Sequence, residues 1–179
     1  MFAMDIKKLI GEATEYDKKL ALEEKKPKSW CKSVSAFANM LGGALIFGIS
    51  NDGQVVGLND PEGDAEKISD IIKSRLTPIP EFKLRFHKTD DGKILVILEV
   101  YKGDETPYYY SGDGVLEAYV RIGNESVKAT ATELKRLVLR GKILPMIRRI
   151  LPIRWKIMLF QSLRKDIRSG PETVLTIKI

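Results

Sequence analysis

Four residues that can bind phosphate or a nucleic-acid base lie close together in the sequence, between positions 25 and 32. Lys25, Lys28 and Lys32 supply positive charge, and Trp30 supplies an aromatic ring. The amides at a helix N-terminus form a phosphate site together with lysines, and an aromatic ring can stack on a base. The same residues are also typical of a solvated loop that leads into a helix, with the tryptophan covering the core. The segment therefore predicts either a nucleic-acid-binding surface or an ordinary helix start.

Arg121 is the next basic candidate because it falls in a predicted strand. Apolar and polar residues alternate over 116–122, which predicts a strand with Arg121 on its outward face, where it could contact phosphate. Lys83 and Arg85 lie on the outer face of a second alternating segment, 82–87. They are weaker candidates, because a charged outer strand face is ordinary.

The remaining histidine, cysteine and aromatic side chains give weaker indications of a functional site. His87 is the one histidine and no cysteine lies near it in the sequence, so a zinc site is not expected. The aromatic run 108–110 is either a stacking platform or part of a strand that buries at least one ring. The sequence contains no G-x-x-x-x-G-K-[ST] motif, so a P-loop nucleotide site is not expected and no metal or cofactor is predicted.

The segment 29–58 predicts the elements that position these candidates. Ser29 is the expected cap of a helix beginning at Trp30. The apolar face of that helix comprises four residues, Val34, Phe37, Ala38 and Leu41. Gly42 is placed where a helix ends in a left-handed residue. A strand buried on both faces follows over 44–49, and Asn51-Asp52-Gly53 predicts a hairpin turn.

The rest of the chain predicts further helices and strands that interleave. We expect an opening helix with Ile6, Leu9 and Ile10 on its apolar face, a strand over 20–25 and a central strand over 94–100. Asp60-Pro61 is typical of a helix start, and Thr130 with Glu133 forms a capping box for another helix. The predicted fold class is α+β, a single domain whose mixed, mostly antiparallel sheet is flanked by helices.

Composition favours a protein of the cytoplasm. Cys31 is the only cysteine of the 179 residues, so no intrachain disulfide can form and a reducing compartment is expected. No apolar stretch reaches the length of a signal peptide or of a membrane span. We therefore predict a cytoplasmic protein that has no membrane partner.

The net charge of +6 is unevenly distributed along the chain. Residues 142–179 carry nine Lys and Arg against two acidic residues, a net charge of +7, whereas residues 1–141 carry a net charge of −1. Overall basicity therefore gives no support for nucleic-acid binding by the part before residue 142, where only a local patch could bind.

The segment 142–179 differs from the rest in composition, since it is apolar, rich in arginine and interrupted by Pro145 and Pro152. It fits a membrane-surface segment or a nucleic-acid-binding arm, although the prolines argue against a continuous helix. It also fits an out-of-frame sequence, because shifted codons for 155–160 and 164–179 can encode peptide typical of longer bacterial proteins. We predict a domain over 1–141, followed by a tail over 142–179 that is out of frame or disordered.

The order of helix, Ala36-Phe37-Ala38-Asn39, Gly42-Gly43, apolar strand and Gly48-Ile49 resembles the Schlafen/AlbA-type domain, to which DNA binding is attributed. The resemblance continues to 120–124 and covers roughly residues 5–141. It implies an α+β fold and a module that precedes an ATP-binding part in bacterial RecG-like or divergent-AAA regulators. The resemblance thus makes ATP an expected cofactor only where that further part is present.

In the Schlafen branch, two glutamates and an aspartate form a metal-dependent ribonuclease site. The resemblance aligns Glu23 with the glutamate of the strand motif, but Lys18 occupies the position five residues earlier. Asp52 is the one acidic residue near the position of the later aspartate. A single matching carboxylate is too few to hold a catalytic metal, so Glu23 and Asp52 are weak catalytic candidates.

We therefore predict a non-catalytic module that contacts DNA or RNA backbone through Lys25, Lys28, Lys32 and Arg121, with Trp30 as a possible stacking residue. Two alternatives stay open, a Schlafen-type metal-dependent ribonuclease and a protein-interaction or dimerisation module. The second would make a homodimer the partner.

Overall fold

The structure is a computed structural model that describes residues 16–150, with side chains described as far as residue 143. The helices of this range are α1 (Lys28–Asn39), α2 (Pro61–Arg75) and α3 (Ala131–Ile150). The strands are β1 (Tyr16–Lys19), β2 (Gly43–Phe47), β3 (Leu76–Thr77), β4 (Phe82–Lys88), β5 (Ile94–Val100), β6 (Tyr109–Gly112), β7 (Val115–Ile122) and β8 (Glu125–Lys128). The predicted opening helix lies outside the described residues, as does the tail beyond residue 150.

The strands of the described range form two four-stranded sheets. The first has the order β1-β2-β5-β4, with β1 parallel to β2 and every other pair antiparallel. The second has the order β3-β6-β7-β8 and is antiparallel throughout. The α+β class and the predominance of antiparallel pairs are confirmed, although the structure divides between two sheets the strands that we expected in one.

Helix α1 contributes to the core that both sheets share. Trp30, Val34 and Phe37 are fully buried in one cluster with residues of both sheets, among them Leu45, Phe47 and Leu98 of the first and Tyr110 and Tyr119 of the second. Burial of an apolar side chain stabilises a fold by roughly 1.5–3 kcal/mol. The amphipathic pattern over 34–38 is therefore confirmed, and it explains why this helix is the centre of the domain.

The end of α1 shows which part of the predicted apolar face was wrong. The helix ends at Asn39, and Leu41 beyond it is 75% exposed. Gly42 has φ +86° and its N–H donates to the Phe37 carbonyl at 2.9 Å, which ends the helix as predicted. A Cβ at position 42 would lie 2.9 Å from the Val100 carbonyl oxygen, which is too close for a side chain. Glycine is therefore needed here for the following strand, β2, to lie beside β5.

Two helix starts that the sequence predicts are confirmed by their hydrogen bonds. The Asp60 carboxylate accepts from the Gly63 N–H at 3.1 Å, and Pro61 is the first residue of α2. At α3, Glu133 accepts from the Thr130 N–H at 2.7 Å, and the Glu133 N–H donates to the Thr130 hydroxyl at 3.3 Å. These reciprocal bonds are those of a capping box.

Two predictions near the first strand are wrong. The strand expected over 20–25 lies at Tyr16–Lys19, and residues 20–27 form turns and irregular backbone. Helix α1 begins at Lys28 rather than Trp30, with Pro27 at the N-cap position and no capping side chain. The Ser29 hydroxyl is buried without a hydrogen-bond partner, so it does not cap the helix.

The residues fall into two compact units, Met1–Gly141 and Lys142–Ile179. Helix α3 continues to Ile150 and contains Pro145, although we expected the prolines to interrupt a helix there. Within residues 16–150, none of the helices is both long and apolar enough to cross a bilayer.

Asn39 at the end of α1 connects the helix to the second sheet. Its amide donates to the carbonyls of Tyr108 and Tyr119, each at 2.9 Å, and its side-chain oxygen accepts from the Tyr108 N–H at 2.7 Å. The Ser35 hydroxyl donates to the Tyr108 carbonyl at 2.7 Å and accepts from the Tyr119 N–H at 3.1 Å. The role of Asn39 is therefore structural: its partners are Tyr108, just before β6, and Tyr119 in β7, both distant from it in sequence.

We expect Asn39→Ala to lower the free energy of unfolding by about 3 kcal/mol or more, because it leaves several buried backbone groups of Tyr108 and Tyr119 without partners. Chemical denaturation monitored by circular dichroism measures the change. Asn51→Ala is the matched control, since Asn51 is exposed in a turn, and it should shift stability by less than about 0.5 kcal/mol. Equal effects of the two substitutions would contradict the role given to Asn39.

Candidate nucleic-acid interface

Lys28, the first residue of α1, is held by a carboxylate of the second sheet. Its Nζ lies 2.8 Å from Glu117 Oε2 and 5.9 Å from the centre of the Tyr110 ring. Lys128 of β8 lies 2.8 Å from the other oxygen, Glu117 Oε1. One carboxylate thus holds two ammonium groups side by side, and both lysine side chains keep exposed surface, 42% at Lys28 and 64% at Lys128.

Glu117 stays ionised in this arrangement. Hydrogen bonds from Lys128, Lys28 and the Tyr119 hydroxyl lower the pKa of Glu117 from 4.5 to about 2. The Tyr119 hydroxyl donates to Glu117 Oε2 at 2.7 Å, so the carboxylate has three donors. At neutral pH the two lysines and Glu117 therefore carry a net charge of +1.

Lys25 and Lys32 flank Lys28 along the chain. Lys25 is exposed in the turn before α1, and Lys32 lies one helical turn beyond Lys28 with its side chain half-buried. Residues four apart on a helix share a face, so Lys28 and Lys32 project on the same side of α1. The predicted lysines therefore lie together at the start of α1, and Lys128 joins them.

Lys128 is the member of this group that sequence reasoning missed. It is opposite Tyr119 in the β7–β8 pair, which brings it next to Glu117. The signal in the sequence is the Gly123-Asn124 turn between two short alternating segments, because a tight hairpin sets which residues are cross-strand neighbours.

Arg121 does not face outward as predicted. Its guanidinium donates to the Tyr16 carbonyl at 2.9 Å and to the Ser126 hydroxyl at 3.1 Å, and it lies 5.0 Å from the centre of the Phe37 ring. Burial lowers the pKa of Arg121, while the charge of Asp17 opposes that shift. Arg121 therefore links β7 to β1, β8 and α1, a structural role that the alternating pattern alone could not reveal.

Trp30 is not available to stack on a base. The residue is 0% exposed, and its ring packs edge-to-face on Phe47 with 5.9 Å between ring centres. The expectation of a stacking tryptophan is thus wrong, because the first turn of α1 directs this side chain into the core. Tyr108 and Tyr110 are buried as well, which excludes a stacking platform at 108–110.

The weak catalytic candidates do not converge. Glu23 is exposed in the irregular segment after β1, and Asp52 lies in the turn at 51–53, where the Ser50 hydroxyl and the Gln54 N–H donate to it. Those two hydrogen bonds lower the pKa of Asp52. No group of three or more His, Cys, Asp or Glu side chains able to hold a metal occurs among the residues that the structure describes.

The structure corrects the position of the strand motif. The carboxylate in β1 belongs to Asp17, which accepts from the Ser33 hydroxyl at 2.6 Å and lies 3.6 Å from Lys19 Nζ. Glu23 therefore does not occupy the strand position that the resemblance assigned to it.

The basic face of β4 contributes little to the candidate surface. Arg85 lies 3.2 Å from Glu99 of the neighbouring strand, so its charge is paired there. Lys83 is exposed on the same strand, and His87 is half-buried.

The profile of the Schlafen, AlbA_2 family matches residues 11–130, which is more than half of the chain. The chain belongs to this family. The match spans every described element except α3 and covers the lysines at the start of α1. Among proteins of curated function, none matches the chain.

Several solved structures are similar to the chain, among them the following two. The N-terminal domain of a RecG-related protein from Nitrosomonas europaea is 25% identical, with a TM-score of 0.49 over 69% of this chain and 88% of that chain. A protein from Corynebacterium diphtheriae is 17% identical, with a TM-score of 0.51 over 74% of this chain and 27% of that one. The second similarity concerns the fold alone.

We expect the stabilising contribution of Glu117 to depend on pH. Its pKa is lower in the folded protein, so the contribution is fully present above about pH 4.5 and is lost as pH falls through about 2. Glu117→Gln should cost about 1 kcal/mol at pH 7, because its partners are partly exposed to solvent. The difference from the unsubstituted protein should shrink as pH falls below 4.5.

Urea unfolding at pH 7 and at pH 3 measures that difference. Glu66→Gln is the control, since Glu66 is an exposed glutamate on α2, and it should have little effect at either pH. A cost for Glu117→Gln that is the same at both pH values would contradict the assigned role.

Proposed function

We propose that this domain is a non-catalytic nucleic-acid-binding module, and that it contacts phosphate groups through Lys25, Lys28, Lys32 and Lys128 at the start of α1. In the longer proteins that the chain resembles, a module of this family precedes an ATP-binding part. Binding of DNA is the contribution that we propose for the module there, with RNA as the alternative substrate of the same contacts.

The observation that carries the proposal is the placement of two ammonium groups on one carboxylate. Glu117 holds Lys28 and Lys128 in position, so less side-chain entropy is lost when a phosphate binds. An ammonium group has three donors, and one hydrogen bond to Glu117 leaves others for a ligand. An exposed lysine pair fixed in this way suits backbone contact without base readout.

Arg121 is not included in the proposed surface, because its guanidinium is used inside the domain. Trp30 is excluded by its burial. We therefore expect the binding affinity to depend only weakly on base sequence. The aromatic side chains that the sequence suggested for base stacking, Trp30, Tyr108 and Tyr110, are all buried. The near-neutral charge of residues 1–141 further predicts that binding is local and modest rather than spread over the domain.

The test is a salt series of binding to labelled duplex DNA, single-stranded DNA and RNA, made with the full chain. Lys25→Gln/Lys32→Gln should lower the slope of log K against log salt by about two for duplex DNA, and the affinity at low salt by about tenfold. Lys88→Gln/Lys102→Gln is the matched control, because both of its lysines are exposed and lie outside the proposed surface.

Three results would contradict the proposal. Equal loss of binding in the two double variants would mean that only total charge matters. Loss of binding in Arg148→Glu/Arg149→Glu, with no effect of the Lys25 and Lys32 substitutions, would assign the affinity to the basic segment 142–179. Self-association without salt-sensitive binding would favour the protein-interaction alternative.

A further inference from the structure

A cavity of about 270 Å³ lies at the other end of α1 from the lysines. Met40, just after α1, lines one part of it, β7 contributes Val120 and Arg121, and α3 contributes the remaining residues. Arg121 is the one lining residue that the sequence suggested as a phosphate contact, and the phosphate contacts proposed above do not use the cavity. Because α1 has 12 residues and a rise of 1.5 Å per residue, the two positions are roughly 18 Å apart along the helix.

Three arginines line this cavity, Arg121, Arg136 and Arg140, against the single carboxylate of Glu133. The guanidinium of Arg121 already donates to the Tyr16 carbonyl and the Ser126 hydroxyl, so Arg136 and Arg140 are the arginines that a ligand would contact. The Glu133 carboxylate already accepts from the Thr130 N–H and hydroxyl at the start of α3. The lining therefore has a positive excess at neutral pH. Planar guanidinium groups bind the oxygens of carboxylates and phosphates in a bidentate manner, which a lysine cannot do.

Arg136 and Arg140 stand four residues apart on α3, so their charges share one face of the helix. Like charges at this spacing destabilise a helix slightly. Arg136 has no ion-pair or hydrogen-bond partner among the described residues, and its charge lowers the pKa of Glu133 only as the last of several causes. A bound anion would relieve the repulsion between the two arginines.

Arg140 has a buried donor that nothing in the described part of the chain satisfies. One of its terminal nitrogens donates to the Asn39 carbonyl at the end of α1, whereas its Nε is buried and lacks a partner. Burial lowers the pKa of Arg140, and the charge of Asp104 opposes that shift. Buried donors without partners are uncommon and costly, and an anion oxygen would supply the missing acceptor.

The rest of the lining is apolar, formed by Met40, Val120 and Leu137. Val120 and Leu137 are 3% and 4% exposed, so they form a wall with little accessible surface, and Met40, which is half-buried, offers the more accessible apolar contact. A binding site for a small organic anion needs such a wall beside a few polar groups. A volume near 270 Å³ suits a molecule of metabolite size rather than a polymer.

We propose that this cavity binds the oxyanion group, phosphate or carboxylate, of a small organic molecule whose apolar part packs on Met40 beside Val120 and Leu137. Arg136 and Arg140 are the residues that bind the anion. The cavity is separate from the lysine surface, so the domain has a ligand site whose occupancy can be tested independently of nucleic acid.

The experiment titrates phenyl phosphate and benzoate into the full chain at constant ionic strength, with binding followed by calorimetry and by the melting temperature. At least one of the two should bind saturably, with a Kd of about 1 mM or tighter, and should raise the melting temperature. Binding of phenyl phosphate alone identifies a phosphate ligand, and binding of benzoate alone a carboxylate ligand.

Arg136→Gln should weaken that binding by about tenfold or more, because it removes a charge-assisted donor. Lys135→Gln is the matched control: Lys135 is the adjacent exposed cation of α3, lies outside the cavity lining and should leave the Kd within about twofold. The melting temperature without ligand checks that each variant folds. Absence of saturable binding of both compounds, or equal weakening by the two substitutions, overturns the proposal.

Discussion

The domain depends on one buried polar side chain, the amide of Asn39. The last paired residues of β6 and β7 are Tyr109 and Ala118, and one step further the strands no longer bond to each other. Asn39, together with Ser35 of the preceding helical turn, takes over the backbone groups of Tyr108 and Tyr119. A helix thereby completes the hydrogen bonds of a sheet, which fixes α1 against it. The positions of Lys28 and of the cavity follow from that one attachment.

Ion pairing determines which of the basic residues remain available to a partner. The Arg121 guanidinium donates to the Tyr16 carbonyl and so links β7 to β1, and Arg85 forms an ion pair with Glu99 of the neighbouring strand. Lys28 and Lys128, in contrast, share one carboxylate and retain exposed surface. The near-neutral net charge of residues 1–141 thus conceals two kinds of cation, those whose charge is used to stabilise the fold and those that retain exposed surface for a ligand.

Sequence patterns succeeded where the deciding interactions are local. The capping box at Thr130 and Glu133, the start of α2 at Asp60 and the end of α1 at Gly42 each depend on residues within a few positions of one another. The strand over 94–100 was also recognisable, because a central strand is apolar on both faces. The first strand was misplaced, since only four residues pair with β2 and their polar sequence carries no apolar alternation.

The candidate site was predicted only in part, because the orientation of its side chains depends on contacts between elements that are distant in sequence. The sequence shows several lysines at the predicted start of a helix. Whether a side chain there points into the core or into solvent, however, depends on which elements pack against that helical turn. Trp30 is therefore buried while Lys28, two residues earlier, is partly exposed.

The sequence by itself determined the α+β class, the starts of the capped helices and the presence of lysines at the start of α1, because composition, periodicity and short-range hydrogen bonds specify these features. Only the tertiary structure decided that Arg121 is internal, that Lys128 joins Lys28 on Glu117 and that three arginines line one cavity. Each of those results brings together residues from different elements, and the packing of α1 between two sheets, rather than any local pattern, sets their distances.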